Sequence, residues 1–119
     1  MALAPLPQRG EIWLIDFEPA VRAEIRKIRP ALVVSLDTIG RLPLRIVVPI
    51  TDWKLHHARF PWFVKLPATP ANRLAKDSGA DTFQTKSVAE SRFVRWLGNV
   101  TPTQLDEVAS TIALCVGAH

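Results

Sequence analysis

Apolar residues recur along most of this chain in short runs interrupted by proline, glycine and charged clusters, a pattern of strands rather than helices. The run EIWLIDF (residues 11–17) follows the turn signal Arg9-Gly10 and precedes Glu18-Pro19, which predicts a first strand. Residues 18–28 hold five charges among small apolar side chains and read as an exposed loop, with AVRAEIRKI able to form a helical turn. Pro30 opens a second strand, ALVVS (31–35). A connection containing Gly40 leads to a third, LRIVVPIT (44–51). Pro49 inside it cannot donate to a ladder, which predicts an edge position or a bulge. Residues 52–59 form a long polar connection carrying Trp53, His56 and His57, and FPWFVKL (60–66) reads as a fourth strand. Residues 67–80, with Pro67, Pro70, Asn72 and Gly79, read mostly as loop. DTFQTKSV (81–88) and RFVRWLGNV (92–100) read as the fifth and sixth strands.

The end of the chain changes period. Thr101 suits a helix N-cap, Pro102 the first helical position, and Gln104 completes a capping box. Leu105, Val108, Ala109, Ile112 and Val116 then make one apolar stripe at helical spacing, and Gly117 suits the stop. Successive short strands without crossover helices argue against a parallel sheet. The expected fold is mainly β with a C-terminal helix, a small antiparallel barrel whose closure removes exposed edges.

At 119 residues the chain fits one domain, residues 1–119, and 48% hydrophobic against 22% charged residues suffices for a core. A domain of this size still leaves much of its surface open, so dimerisation is a natural way to bury more. A formal net charge of +4 and a pI near 9.8 favour a polyanionic partner, although many small proteins are mildly basic without one. The single cysteine, Cys115, excludes an internal disulfide and a cysteine-based metal cluster. Residues 1–8 lack the basic start and apolar run of a signal peptide, and no apolar stretch suits a membrane span. The chain therefore reads as cytoplasmic.

Several common chemistries find no motif here. There is no Gly-rich phosphate loop, no HExxH, no paired-cysteine zinc motif and no nucleophile elbow. The adjacent His56 and His57 are poorly spaced for one metal and read as a solvated loop pair. Four pieces do stand together in order: RGEIWLIDF, KIRPALVVS, VVPIT, and FQTKSV before the capped helix. In this set the chain resembles the MazF/PemK family of toxin endoribonucleases, over residues 9–117. The resemblance implies an SH3-like barrel of the CcdB/PemK type with a C-terminal helix, acting as a homodimer. It also implies cleavage of single-stranded RNA without metal or cofactor, and silencing by a cognate MazE-like antitoxin, acidic and partly disordered.

The family's catalytic pair is an Arg in Arg-Pro and a Thr ending the next strand, which Arg29 and Thr51 match. The chemistry suits them. RNA brings its own nucleophile, the 2′-OH, so the protein needs only to align the phosphate and stabilise the charge growing on its oxygens. A guanidinium forks onto phosphate with two hydrogen bonds, and a Thr hydroxyl adds a third donor. Arginine is too weak an acid to hand over a proton, which favours an electrostatic role. The alternatives are a surface salt bridge for Arg29 and a strand-end hydroxyl satisfying backbone for Thr51. Glu24, before Arg29, matches an acidic position that assists catalysis in some members; it can accept the 2′-OH proton, orient Arg29, or be a solvated carboxylate.

Arg26 and Lys27 can hold phosphates or be solvated loop charges. Gln84, Lys86 and Ser87 match a family segment lining the RNA groove, where Gln reads a base edge and Lys a phosphate. The chain departs from the family at Phe83, where an acidic residue is usual. Asp81 lies two residues earlier on the same alternation and substitutes only if the register allows. Of the tryptophans, Trp13 and Trp96 read as core, while Trp53 and Trp62 flank the polar connection and are candidates for RNA or partner contacts. Two other readings remain at this point: a non-catalytic toxin that binds its target as gyrase poisons do, and an inactive homologue binding only RNA or antitoxin.

Overall fold

A computed structural model describes residues 6–17, 27–39 and 42–118; Glu24, Arg26 and Gly40 fall outside this set. The described residues form strands β1 (Glu11–Asp16), β2 (Ile28–Val33), β3 (Leu44–Asp52), β4 (Phe63–Leu66), β5 (Ser78–Asp81), β6 (Lys86–Ala89) and β7 (Phe93–Asn99), then helix α1 (Pro102–Cys115). Every pairing is antiparallel. The strand order is β4-β5-β3-β2-β1-β7, with β6 also paired to β3.

The near-continuous apolar run of β2 has a physical reason: both of its faces are covered. Leu32 joins a core with Ile12, Val48, Val64, Leu66 and Val108, while its neighbours Ala31 and Val33 join a second core with Ile15, Val47 and Val88. Helix α1 starts as its sequence dictates. The Thr101 hydroxyl accepts from the Gln104 N–H at 3.1 Å, and the Gln104 side chain accepts from the Thr101 N–H at 3.0 Å. Leu105 and Val108 enter the first core and Ile112 packs on it, but Val116 is 74% exposed, so the apolar stripe stops a turn early. Gly117, at φ +75°, takes the left-handed position that ends the helix.

Among the described residues the sheet does not close into a barrel by strand pairing; β6 pairs on one side only, and β4 and β7 end the sheet's main path. The chain after β4 bridges them instead. Asn99 N–H donates to the Ala71 carbonyl at 3.0 Å, and the backbone of residues 71 and 72 lies against Gly98 so closely that a Cβ there would stand 2.9 Å from Asn72 Cα. The fold is thus barrel-like, completed by a loop and capped by α1.

Several strand limits differ from the sequence reading. β2 begins at Ile28, so Arg29 and Pro30 lie within it. Residues 55–59 form a short 3-10 helix, and β4 starts only at Phe63. Of the strand expected over 81–88 only β6 forms there; Asp81 ends β5, whose residues 78–80 lie in the stretch read mostly as loop, and a 3-10 turn at Thr82–Gln84 separates the two strands. Two threonines make that break. The Thr82 hydroxyl donates to the Trp62 carbonyl at 2.6 Å and the Thr85 hydroxyl to the Thr82 carbonyl at 2.6 Å, local bonds that compete with a ladder. Pro49 is not in a bulge but at a local edge, paired on one side only, with Ala31. β3 pairs with β6 through residues 44–47 and with β5 through 50–52, and Pro49 falls in the gap where no N–H is needed. Trp96 is 46% exposed rather than core, whereas Trp13 packs on the second core in a T-shaped contact with Phe93.

Candidate active site

The gap beside Pro49 is where a groove opens. Ala31 pairs with Pro49, so two residues on, Arg29 stands across from Thr51, and Thr51 in turn pairs with Gly79 of β5. Arg29 and Thr51, separated by a long stretch of chain, therefore meet on neighbouring strands. Both line a cavity of about 380 Å³ and a smaller one of about 220 Å³ beside it. Arg29 is exposed and Thr51 half-buried. Among the described residues, neither side chain is taken up by a hydrogen bond or ion pair.

Three cations, Lys27, Arg29 and Lys86, line the larger cavity against one carboxylate, Asp81. The excess of positive charge suits a phosphate backbone. Lys86 Nζ sits 4.8 Å over the ring of Phe17, which holds the amine at the groove wall. Phe17 N–H donates to the Lys27 carbonyl at 3.0 Å, so the β1–β2 hairpin brings both ends of the charged connection to this wall. Gln84 lines the groove from the 3-10 turn, its Nε2 donating to Asp81 Oδ2 at 2.7 Å. Gly79 has a steric role next to Thr51. A Cβ there would stand 3.1 Å from both Phe63 Cδ1 and Trp53 Cε3, so glycine lets those rings close over β5.

The structure thus gathers Arg29, Thr51, Lys27, Gln84 and Lys86, and leaves two expected residues apart. Ser87 is exposed opposite Ile46 on β3 and does not line the groove. Trp53 lies behind Gly79, half-buried, with Lys65 Nζ 5.6 Å over its ring, and is not a groove residue. Glu24 and Arg26 lie outside the described residues. His56 and His57 are not a solvated pair. His57 is 8% exposed, stacks on Phe63 at 4.1 Å, and accepts the Lys54 N–H on Nδ1 at 3.0 Å. Burial holds its pKa below the ordinary histidine value; neighbouring His56 adds to this, Asp81 opposes it, and Lys54 lowers it further.

Sequence reasoning gave no role to Phe17, Pro49 or Phe63, which wall the groove. They carry the apolar signature of core strands, which hides a groove role. Asp81 was a conditional substitute for the acidic residue missing at 83; the structure puts it on the groove and leaves Phe83 71% exposed outside it.

Comparison with known proteins identifies the family. The family model described as PemK-like, MazF-like toxin of type II toxin-antitoxin system matches residues 8–116. The endoribonuclease MazF9 of Mycobacterium tuberculosis is 34% identical over 114 residues, covering 90% of this chain and 93% of that protein. The MazE–MazF crystal structure (Form-II) from Deinococcus radiodurans superposes with a TM-score of 0.78 at 24% identity, over 98% of this chain and 100% of that one. An endoribonuclease in complex with its cognate antitoxin, from a mycobacterial species, gives a TM-score of 0.73 at 19% identity, over 93% and 95% of the two chains. With the family model matching residues 8–116 and a curated relative 34% identical, this chain belongs to the PemK-like, MazF-like toxins of type II toxin-antitoxin systems.

Proposed function

We propose that this chain is a toxin that cuts single-stranded RNA by 2′-OH attack, without a metal ion, from the groove that Arg29 and Thr51 share. The observation that carries the reading is their convergence, with both side chains unengaged among the described residues, at a cation-lined groove. The relatives named endoribonuclease support the reaction class.

The ribose 2′-oxygen gives up its proton and attacks the adjacent phosphorus, the bond to the 5′-oxygen breaks and that oxygen takes a proton from water, so the products are a 2′,3′-cyclic phosphate and a 5′-hydroxyl. Arg29 forks onto the non-bridging oxygens and stabilises their charge as it grows; Thr51 donates one more hydrogen bond to the same oxygens. Glu24, five residues before Arg29 in the chain, is the carboxylate assigned to the 2′-OH proton. Lys27 and Lys86, with Arg26, hold flanking phosphates, and Gln84 reads a base edge. The active form is a homodimer in the cytoplasm. Its natural inhibitor is an acidic, partly disordered antitoxin segment laid along the cationic groove, in keeping with the antitoxin complexes of structural neighbours. A gyrase-type binder has no use for an unengaged Arg-Thr pair on a cationic groove.

The test is to incubate the purified protein, and an Arg29→Ala variant, with a long single-stranded RNA in EDTA. Cutting by the wild type alone, with 5′-hydroxyl ends, is the expected result. Cutting that needs a divalent metal, or that survives loss of Arg29, rejects the mechanism. Intact RNA with inhibited gyrase in arrested cells would favour the binding-only reading.

A further inference from the structure

We infer that Asp81 is a base-reading residue of this groove: its carboxylate accepts a hydrogen bond from the exocyclic amino group of a nucleobase next to the cut, and so selects against uracil at that position. The inference rests on the RNA-cleaving reading above and adds to it a specificity residue.

Asp81 is 8% exposed yet lines the groove. One of its oxygens, Oδ2, accepts from Gln84 Nε2 at 2.7 Å; the other, Oδ1, is buried and has no hydrogen-bond partner. An ionised carboxylate only accepts, and a buried acceptor left without a donor is costly, so this side chain gains a hydrogen bond when a donor entering the groove draws the carboxylate toward it. The carboxylate also orients its neighbour. Gln84 must turn its NH₂ toward Asp81, which leaves the amide oxygen as a second acceptor beside the first.

Position speaks for reading a base. Thr51 pairs with Gly79, and Asp81 lies two residues further along β5 on the same face, about 7 Å at strand spacing. Asp81 thus stands beside the Arg29–Thr51 pair, where a nucleotide adjoining the scissile phosphate would lie. Phe63 faces it from β4, lines the same groove, and has His57 stacked on its ring, a flat wall against which a base can rest. Adenine, cytosine and guanine each carry an amino group. Uracil presents its one ring N–H between two carbonyl oxygens, which the carboxylate repels. Cytosine and uracil have nearly the same shape and differ in a donor or an acceptor at C4, so the pair isolates the contact.

The experiment uses 2′-O-methyl hexanucleotides, which cannot undergo 2′-OH attack, in pairs with cytosine or uracil at each position in turn. Binding is read by fluorescence anisotropy. At one position, uracil for cytosine should weaken binding to wild-type protein by about 10-fold. That difference should vanish in Asp81→Asn, which presents a donor beside an acceptor, and in Asp81→Ala, with melting temperature and circular dichroism confirming folded variants. No discriminating position in the wild type, or discrimination that persists in a folded Asp81 variant, overturns the inference. Discrimination that vanishes with Asp81 in a protein that cuts no RNA sustains it and rejects the nuclease reading instead.

Discussion

At residue 29 a lysine would keep the positive charge and lose the planar fork, which separates attraction from transition-state fit. A point charge on a flexible stem still draws the phosphate in, but it cannot hold two oxygens at once. Arg29→Lys is therefore expected to lower single-turnover cleavage of a short RNA by about 100-fold, while affinity for an uncleavable analogue falls by less than about 10-fold. An equal loss in both would make Arg29 a binding residue only. Thr51→Val keeps the shape and removes the donor, and should likewise slow the chemical step by about 100-fold or more without loss of folding. A residue beside the groove makes a different kind of prediction. His57 is buried with its pKa lowered, so the folded chain disfavours the proton that the unfolded chain takes up near pH 6.5. Between those two values the unfolded state holds more protons, and stability falls as the pH drops below about 6.5, levelling off once the folded-state pKa is passed. Thermal melts from pH 7.5 downward should show this decline, and His57→Phe, which keeps a ring against Phe63, should flatten it. A wild-type melting temperature that rises on acidification through this window would contradict the assignment.

Among the elements, the covering of β7 by residues 71 and 72 makes a sharp prediction. A Cβ on Gly98 meets backbone rather than a side chain that can swing away. Gly98→Ala should cost about 1–3 kcal/mol or more in chemical denaturation, because the loop that joins the two edges of the sheet must lift. A variant as stable as wild type would mean that the loop is no part of the closure. This closure also marks what was legible in the sequence. The cap of α1 could be read directly, since Thr101, Pro102 and Gln104 act on one another within a turn. β1, β3 and β7 followed from short apolar runs, and Arg29 with Thr51 from a family pattern of ordered pieces. The split between β5 and β6 was not legible, because it depends on Thr82 reaching the carbonyl of Trp62, twenty residues away. Nor was the open sheet, whose bridging bond joins Asn99 to Ala71 across chain that reads as plain loop. The groove inherits both features. Asp81 and Gln84 converge there only because a 3-10 turn replaces a straight strand, so their partnership has no spacing signature of its own.

For the molecule as a whole, the question is how its charge is placed. A formal net charge of +4 is too small to mark a nucleic-acid binder by itself, and the seat of the charge says more. Lys27, Arg29 and Lys86 stand on one groove whose described acid, Asp81, is turned to a second task by Gln84. Each phosphate neutralised by such a cation releases counterions, and for single-stranded nucleic acid log K falls against log salt with a slope of about −0.7 per phosphate. Three groove cations then give a slope of about −2 for one strand in one groove, steeper if a homodimer engages a longer strand or if Arg26 joins. Affinity for a short uncleavable RNA should drop about 100-fold over a tenfold rise in salt. Lys86→Ala should reduce the slope by about one phosphate's share and weaken all sequences alike, whereas Asp81→Asn should leave the slope near its wild-type value and change only which bases are preferred. A slope near zero in the wild type would place the RNA elsewhere on the surface, and a Lys86→Ala variant with altered base preference but unaltered slope would reverse the division of labour between the lysine and the carboxylate.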